Sequence, residues 1–104
     1  PEQGRILTVS DKSEESGKRV ESQMRNAGIR VKGDYRSEKL GAKIRDGQLE
    51  MIPYMMIVGP RDAENGTVSI RDRIDGDLGA IPVEKAIAKF QSEIADKTVR
   101  RKSS

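Results

Sequence analysis

Short apolar and alternating segments separated by polar turns predict five β-strands along the chain. An unbroken apolar run is typical of a strand buried on both faces, whereas alternation of apolar and polar residues is typical of a strand with one buried face. The predicted strands are Ile6 to Val9, Ile29 to Lys32, Tyr54 to Val58, Thr67 to Arg73 and a short one at Leu78 to Ala80. The unbroken run at Tyr54 to Val58 indicates the centre of the sheet, and Val68 and Ile70 are expected to face inward.

Three segments with apolar residues at helical spacing predict the helices. The first follows Asp11 and Ser13, which are both candidate N-caps, and ends at Gly28, where glycine accepts the left-handed backbone of a helix stop. The last begins at Pro82, and its charged end is expected to fray from Asp96 onward. The apolar stripes of these two helices consist of Gly17, Val20, Met24 and Ala27, and of Val83, Ile87, Phe90 and Ile94.

The middle helix is predicted to follow the N-cap Ser37 and to end before Pro53. Its apolar sector consists of Leu40, Ile44, Gly47 and Met51, and its polar sector of Lys39, Lys43, Asp46 and Glu50. Gly41 and Gly47 each weaken the helix by roughly 1 kcal/mol relative to alanine. Close packing of the helix against the sheet is the favoured reason for these glycines, and backbone approach to a phosphate is the alternative.

The order of these elements predicts an α/β fold with a mixed central sheet of about five strands flanked by three helices. Along the chain the order is β-α-β-α-β-β-(β)-α, with right-handed parallel crossovers and an antiparallel hairpin. At 104 residues the chain corresponds to one domain with a modest core. We predict a domain over residues 1–95 and a charged tail over residues 96–104.

Composition narrows the classes of function. The chain has no cysteine and no histidine, which excludes disulfides, thiolate or imidazole zinc sites, and nucleophilic sites built on cysteine or on a serine–histidine pair. Its formal net charge of +3 is mildly basic and leaves room for a basic face. Only three residues are aromatic, so a nucleic-acid surface built on base stacking would have few platforms.

Further absences concern membranes and nucleotides. The chain has no apolar run of the roughly 20 residues that cross a bilayer and no apolar signal core, so we expect a cytoplasmic protein without a membrane partner. It begins with Pro1 rather than Met, which suggests a piece of a longer protein, with a processed standalone protein as the alternative. Neither common glycine-rich phosphate-binding motif occurs, which argues against a small doubly wound enzyme or nucleotide-binding domain.

Three collinear blocks carry a resemblance to a known family. They are GIRVKGDYRSEKLGAKIR from Gly28, IPYMMIVGPRDAENGTVSIRDR from Ile52 and DGDLGAI from Asp75. Together they resemble the anticodon-binding domain of class II aminoacyl-tRNA synthetases. The ENG turn before a strand and the DGDLG motif favour the threonyl type, with the prolyl, histidyl and glycyl types as alternatives. A protein-interaction module that kept the fold and lost tRNA binding is a further alternative.

The resemblance also implies what surrounds this domain. It implies a parent enzyme that joins threonine to tRNA(Thr) using ATP, magnesium and zinc, with the catalytic residues in a different domain. The fragment by itself is then no enzyme and has no cofactor of its own. Its expected partners are the anticodon stem-loop of tRNA(Thr) and the catalytic domain of the parent, which is expected to be a homodimer.

Threonine anticodons share G as the middle letter, and reading this base takes donors for its N7 and O6 atoms and an acceptor for its N1 and N2 protons. By the resemblance, Arg71 lies where the family places a base-reading arginine, and Asp62 where some members carry a glutamate that contacts the anticodon. Ser37 stands in place of a familiar asparagine and Met51 in place of an arginine. The alternative for Arg71 is a solvated strand arginine.

Five further basic residues lie around one predicted strand-to-helix junction. They are Arg30, Lys32, Arg36, Lys39 and Lys43. We expect them to approach the phosphates of the anticodon stem-loop, because cationic side chains bind phosphates without reading sequence. Scattered solubilising charge is the alternative for this set.

Overall fold

A computed structural model describes residues 2–73 and 76–103, and side chains as far as residue 95. The strands are β1 Gly4–Thr8, β2 Val31–Asp34, β3 Tyr54–Val58, β4 Thr67–Asp72 and β5 Gly76–Pro82. The helices are a single 3₁₀ turn at Asp11–Ser13, α1 Glu14–Asn26, α2 Leu40–Leu49, α3 Pro60–Asn65 and α4 Val83–Ser103. The predicted α/β class and mixed five-stranded sheet are confirmed, and the described residues contain one α-helix more than predicted.

The sheet combines a parallel half with an antiparallel half. The strand order is β2-β1-β3-β4-β5. β1 pairs in parallel with β2 and β3, whereas β4 pairs antiparallel with β3 and β5. The two parallel connections pass through α1 and α2, as crossovers between parallel strands require. β3 lies at the centre of the sheet, as its unbroken apolar run predicts.

The main core lies on the sheet face that packs against α1 and α4. Its buried side chains are Ile6, Val20, Met24, Ile29, Val31, Met56, Val58, Val68, Ile70, Val83, Ala86 and Phe90. Neighbouring residues of a strand point to opposite faces. Met55 therefore points away from this core, and its side chain lies against Gly47 of α2. Hence α2 covers the other face of the sheet.

The boundaries of α1 follow the predicted stripe, with differences at its ends. Ser13 occupies the N-cap, but its buried hydroxyl has no hydrogen-bond partner among the described residues. Gly28 adopts φ 85°, the predicted left-handed stop. The N–H of Ile29 donates to the carbonyl of Met24 and closes the helix end, so the strand predicted from Ile29 begins two residues later, at Val31.

The sectors predicted for α2 are confirmed at Gly47 and wrong at Lys43 and Met51. Lys39 rather than Ser37 occupies the N-cap, and the helix ends at Leu49. Its buried residues are Lys43 and Gly47, while Met51, predicted in the apolar sector, is 59% exposed. The burial of Lys43 is explained by its ammonium, which donates to the carbonyl oxygen of Thr8 at 2.8 Å. A buried ammonium needs such an acceptor.

The turn predicted between Gly59 and Gly66 contains the short helix α3. Pro60 begins this helix, the Asp62 carboxylate accepts the Gly59 N–H, and Gly66 ends it with φ 66°. These are ordinary helix-end signals in a segment too short and polar to show an apolar stripe. The last strand is longer than its predicted three residues, and the backbone of α4 continues to Ser103. The side chains of the predicted tail lie outside the described residues.

The two glycines of α2 have different surroundings, which predict opposite effects on stability. A Cβ at Gly47 would lie 2.7 Å from the Sδ of buried Met55, so close packing explains this glycine. A Cβ at Gly41 would meet nothing within 4 Å, so packing does not explain Gly41. In urea unfolding, Gly41→Ala should stabilise the domain by roughly 1 kcal/mol, whereas Gly47→Ala should destabilise it by about 1 kcal/mol. Equal effects of the two substitutions would contradict this assignment.

Candidate functional site

Arg71 lies on β4, directly opposite Met55 of β3. This pairing places its side chain on the face of the sheet that α2 covers, where it is half-buried. Within the described part of the chain, the Arg71 guanidinium has no hydrogen bond or ion pair. A guanidinium carries five N–H donors in a fixed fork, the geometry that suits a planar acceptor edge.

A β-bulge accompanies Arg71. Ile70 pairs with Gly79 and Arg71 with Asp77, so Leu78 is the extra residue of β5. The Asp77 carboxylate accepts the N–H of Gly79 at 2.8 Å, and Gly79 adopts φ 85°. Bulges of this kind turn a strand and re-aim the side chains beside it. The described part of the DGDLG motif, from Asp77 to Gly79, thus shapes the strand next to Arg71, a role that sequence reasoning missed although its glycine signalled it.

Asp62 is engaged within the protein. Its Oδ2 accepts the N–H of Gly59 at 3.1 Å, and its Oδ1 accepts the hydroxyl of Thr67 at 2.7 Å. The hydroxyl of Ser69 lies 3.5 Å from Oδ2. Ser69 precedes Arg71 by two residues on the same face of β4, about 7 Å along the strand. The fold therefore brings Asp62 to the face that carries Arg71, with a carboxylate that already stabilises α3 and the start of β4.

Ser37 and Met51 lie outside the two ends of α2. Ser37 is exposed in the segment between β2 and α2. Met51 follows the helix with φ 60°, a left-handed conformation that is uncommon for a residue with a side chain. Leu49 beside it is 74% exposed. No hydrogen bond in the described structure joins Ser37 or Met51 to Arg71 or Asp62.

The predicted phosphate-binding set separates into three groups. Arg30, Lys32 and Lys39 are exposed at or near the edge strand β2 and the start of α2. Arg36 is exposed but bound, because its guanidinium contacts two carboxylates. Lys43 is only 2% exposed, and its ammonium bonds to Thr8. Burial of Lys43 therefore argues against the predicted phosphate contact, since a cation enclosed between α2 and β1 does not reach a phosphate outside.

Two arginines form ion pairs that connect α2 to the sheet, and sequence reasoning missed both. The Arg36 guanidinium bridges Asp34 on β2 and Asp46 on α2, and its proximity holds the pKa of the Asp34 carboxyl below the usual range. Arg5 on β1 pairs with Glu50 just after α2 and lowers the pKa of that carboxyl. No short-range pattern signals the contacts with Asp46 and Glu50, because Arg36 and Asp46 are 10 positions apart and Arg5 and Glu50 are 45 positions apart.

The side chains of the described residues also limit what the domain holds. No group of three or more Asp or Glu residues among them is arranged to bind a metal ion. Tyr35 is half-buried over Gly33, with its hydroxyl donating to Glu21, so its ring packs within the fold. No helix in residues 2–73 or 76–103 is both long and apolar enough for a membrane span.

Comparison with known proteins gives consistent results. A family model described as "Anticodon binding domain" matches residues 3–93. "Threonine--tRNA ligase" from Rhodopirellula baltica is 46% identical over 97% of this chain, which covers 14% of that protein. The RNA binding domain of threonyl-tRNA synthetase from Cryptosporidium parvum Iowa II superposes with a TM-score of 0.84 at 32% identity, covering 88% of this chain and 23% of that one.

A second solved structure matches in fold. Histidyl-tRNA synthetase from Nostoc sp. PCC 7120 superposes with a TM-score of 0.83 over 90% of this chain and 23% of that chain, at 19% identity. At that identity the likeness concerns the fold alone. The chain spans less than a fifth of the length of the curated relatives it matches, 14% to 16% for the first three.

Proposed function

Because the chain belongs to the anticodon-binding domain family, we propose that it is the anticodon-recognition module of a threonine–tRNA ligase and binds the anticodon stem-loop of tRNA(Thr). The threonyl assignment is supported by the names of the relatives, at 46% to 48% identity for the first three. A single-stranded anticodon loop exposes base edges that a protein surface reads by hydrogen bonds.

The guanidinium of Arg71, which has no hydrogen bond or ion pair to any of the described residues, is the observation that carries this proposal. On the α2 face of β4, beside a bulge, it offers parallel N–H donors of the kind that suits N7 and O6 of guanine. The Asp62 carboxylate lies at the same face, next to the hydroxyl of Ser69. It can accept a hydrogen bond from the base if it releases one of its bonds within the protein. Arg30, Lys32 and Lys39 supply exposed positive charge for phosphates.

We propose that catalysis and anticodon binding lie in different domains of the whole enzyme, which is supported by the small share of the relatives that this chain covers. Threonine activation with ATP, magnesium and zinc takes place in a separate catalytic domain, and the parent is a cytoplasmic homodimer. The present domain, residues 1–95 with the tail 96–104, carries out no reaction. It holds the tRNA so that binding energy from the anticodon assists chemistry at the acceptor end.

One observation favours a second candidate. Leu49 and Met51 are large apolar side chains exposed together at the end of α2, as at a protein contact. A protein-interaction module that has lost tRNA binding would use such a patch and would have no need of anticodon discrimination. Prolyl, histidyl and glycyl modules remain alternatives for the identity of the tRNA.

The test is a fluorescence titration of the 104-residue chain with labelled anticodon stem-loops at two salt concentrations. We expect weak binding of the threonine loop, because one module must order the loop without help from the acceptor arm. Binding should weaken as salt rises. A loop with A in the middle position is the matched control. Equal binding of both loops would leave only a nonspecific basic surface, and no binding at low salt would favour the protein-interaction candidate.

A further inference from the structure

We propose that Asp46 and Glu50 are positioning residues for anticodon binding, which they support by holding α2 and the loops at its two ends against the sheet. This inference rests on the proposed function. It assigns two acidic side chains, which a polyanion would ordinarily repel, a favourable part in RNA binding. It also changes the predicted role of Arg36. Instead of contacting a phosphate, Arg36 forms ion pairs that hold the segment carrying Ser37 in place.

The first clamp lies at the start of α2. The Arg36 guanidinium donates to both oxygens of Asp34, at 2.8 and 2.7 Å, and to Asp46 at 2.8 Å. The Arg36 backbone N–H also donates to Asp34. Asp34 is nearly buried on β2, so this two-pronged pair has a rigid base. Ser37 follows Arg36 directly, so the clamp fixes the residue that precedes Ser37 along the chain.

The second clamp lies at the end of α2. Arg5 of β1 donates from two nitrogens to the two oxygens of Glu50, at 2.7 and 3.0 Å. Glu2 contacts the same guanidinium, which is mostly enclosed. Met51, with its left-handed backbone, follows Glu50 directly. The side chains of both clamps line one groove, together with the exposed Lys32.

Charge alone and positioning predict opposite changes in RNA binding when the carboxylate of Asp46 or Glu50 is neutralised. Neutralising an acidic side chain on a basic surface reduces repulsion of phosphates and should tighten RNA binding. If the clamps position the loops, neutralisation should weaken binding instead. The sign of the change therefore distinguishes positioning from simple charge. Because Asp46 and Glu50 are substantially exposed, the clamps contribute little to global stability, and the melting temperature should fall by less than about 5 °C.

The experiment compares Asp46→Asn and Glu50→Gln with the matched control Glu38→Gln in the 104-residue chain. Glu38 is an exposed carboxylate of the same loop with no ion pair among the described residues. We expect each clamp variant to bind the threonine anticodon stem-loop about three- to tenfold more weakly, and Glu38→Gln to bind equally or slightly more tightly. Asp46→Glu keeps the carboxylate and should recover part of the loss. Melting curves identify any variant that fails to fold.

Arg36→Gln adds a readout that a merely structural role would not produce. A lost phosphate contact lowers the slope of log affinity against log salt by about 0.7 to 0.9, whereas a positioning residue leaves this slope unchanged. Tighter binding by Asp46→Asn and Glu50→Gln, or a reduced slope for Arg36→Gln, would overturn the inference while the wild type still discriminates anticodons. Equal binding of all loops by the wild type would overturn the proposed function, and the inference with it.

Discussion

Arg71→Ala is expected to weaken binding of the threonine anticodon loop by about 1 to 3 kcal/mol, while weakening a loop with A in the middle position much less. The reason is geometric, because alanine removes both donors that would span N7 and O6 of guanine. Arg71→Lys should recover little, since an ammonium cannot reproduce a two-pronged fork. The measurement is a titration of each variant against both loops.

Lys32→Ala is the control for Arg71→Ala. Lys32 is an exposed cation on β2, away from the bulge. If Lys32 contacts a phosphate, Lys32→Ala should weaken the binding of both loops about equally. It should also reduce the salt dependence of binding. A uniform loss for Arg71→Ala across both loops, restored in full by lysine, would make Arg71 a phosphate anchor and leave Asp62 and Ser37 as the specificity candidates.

Lys43→Ala is expected to destabilise the domain by about 3 kcal/mol, because it leaves a cavity under α2 and removes the donor that satisfies the Thr8 carbonyl. Lys43→Met keeps most of the stem and should cost less, about 1 to 2 kcal/mol. Urea unfolding measures both, and for a chain of this size the alanine variant should melt roughly 10 to 20 °C lower.

Arg45→Ala provides the comparison on the same helix, since Arg45 is exposed and should change stability little. The salt dependence of RNA binding gives the second readout for Lys43→Met, which should leave it unchanged because the ammonium faces inward. A fully stable Lys43→Ala that had lost salt-sensitive binding would restore the phosphate role that burial of Lys43 argues against.

The sequence predictions are accurate where neighbouring residues determine the structure, and they fail where residues distant in sequence determine it. The run at Tyr54 to Val58 and the alternation around Val68 and Ile70 depend on neighbouring residues alone, and both are confirmed. Lys43 was wrongly placed in the polar sector of α2 because a helical wheel assigns every charge to solvent. The acceptor that allows Lys43 to be buried lies 35 positions away on β1, where no local pattern points to it.

In the candidate site, too, features that depend on residues distant in sequence were not predicted. The position of Arg71 followed from the resemblance, but the bulge beside it depends on the register between β4 and β5, which only the paired strands define. The ion pairs of Arg5 with Glu50 and of Arg36 with Asp46 join residues that no spacing rule connects. By contrast, the signals for α3 were present in Pro60, Asp62 and Gly66, and were missed because a helix of six mostly polar residues shows no apolar period.

The strict alternation of β4 constrains how this domain can change in length. Val68 and Ile70 fill the core while Ser69 and Arg71 occupy the opposite face. Deleting or inserting a single residue within β4 would exchange these two sets, placing a guanidinium in the core and aliphatic side chains on the α2 face. Descendants of this chain can therefore gain or lose residues in the surrounding loops, but β4 must keep its count even where its outward side chains are free to be replaced.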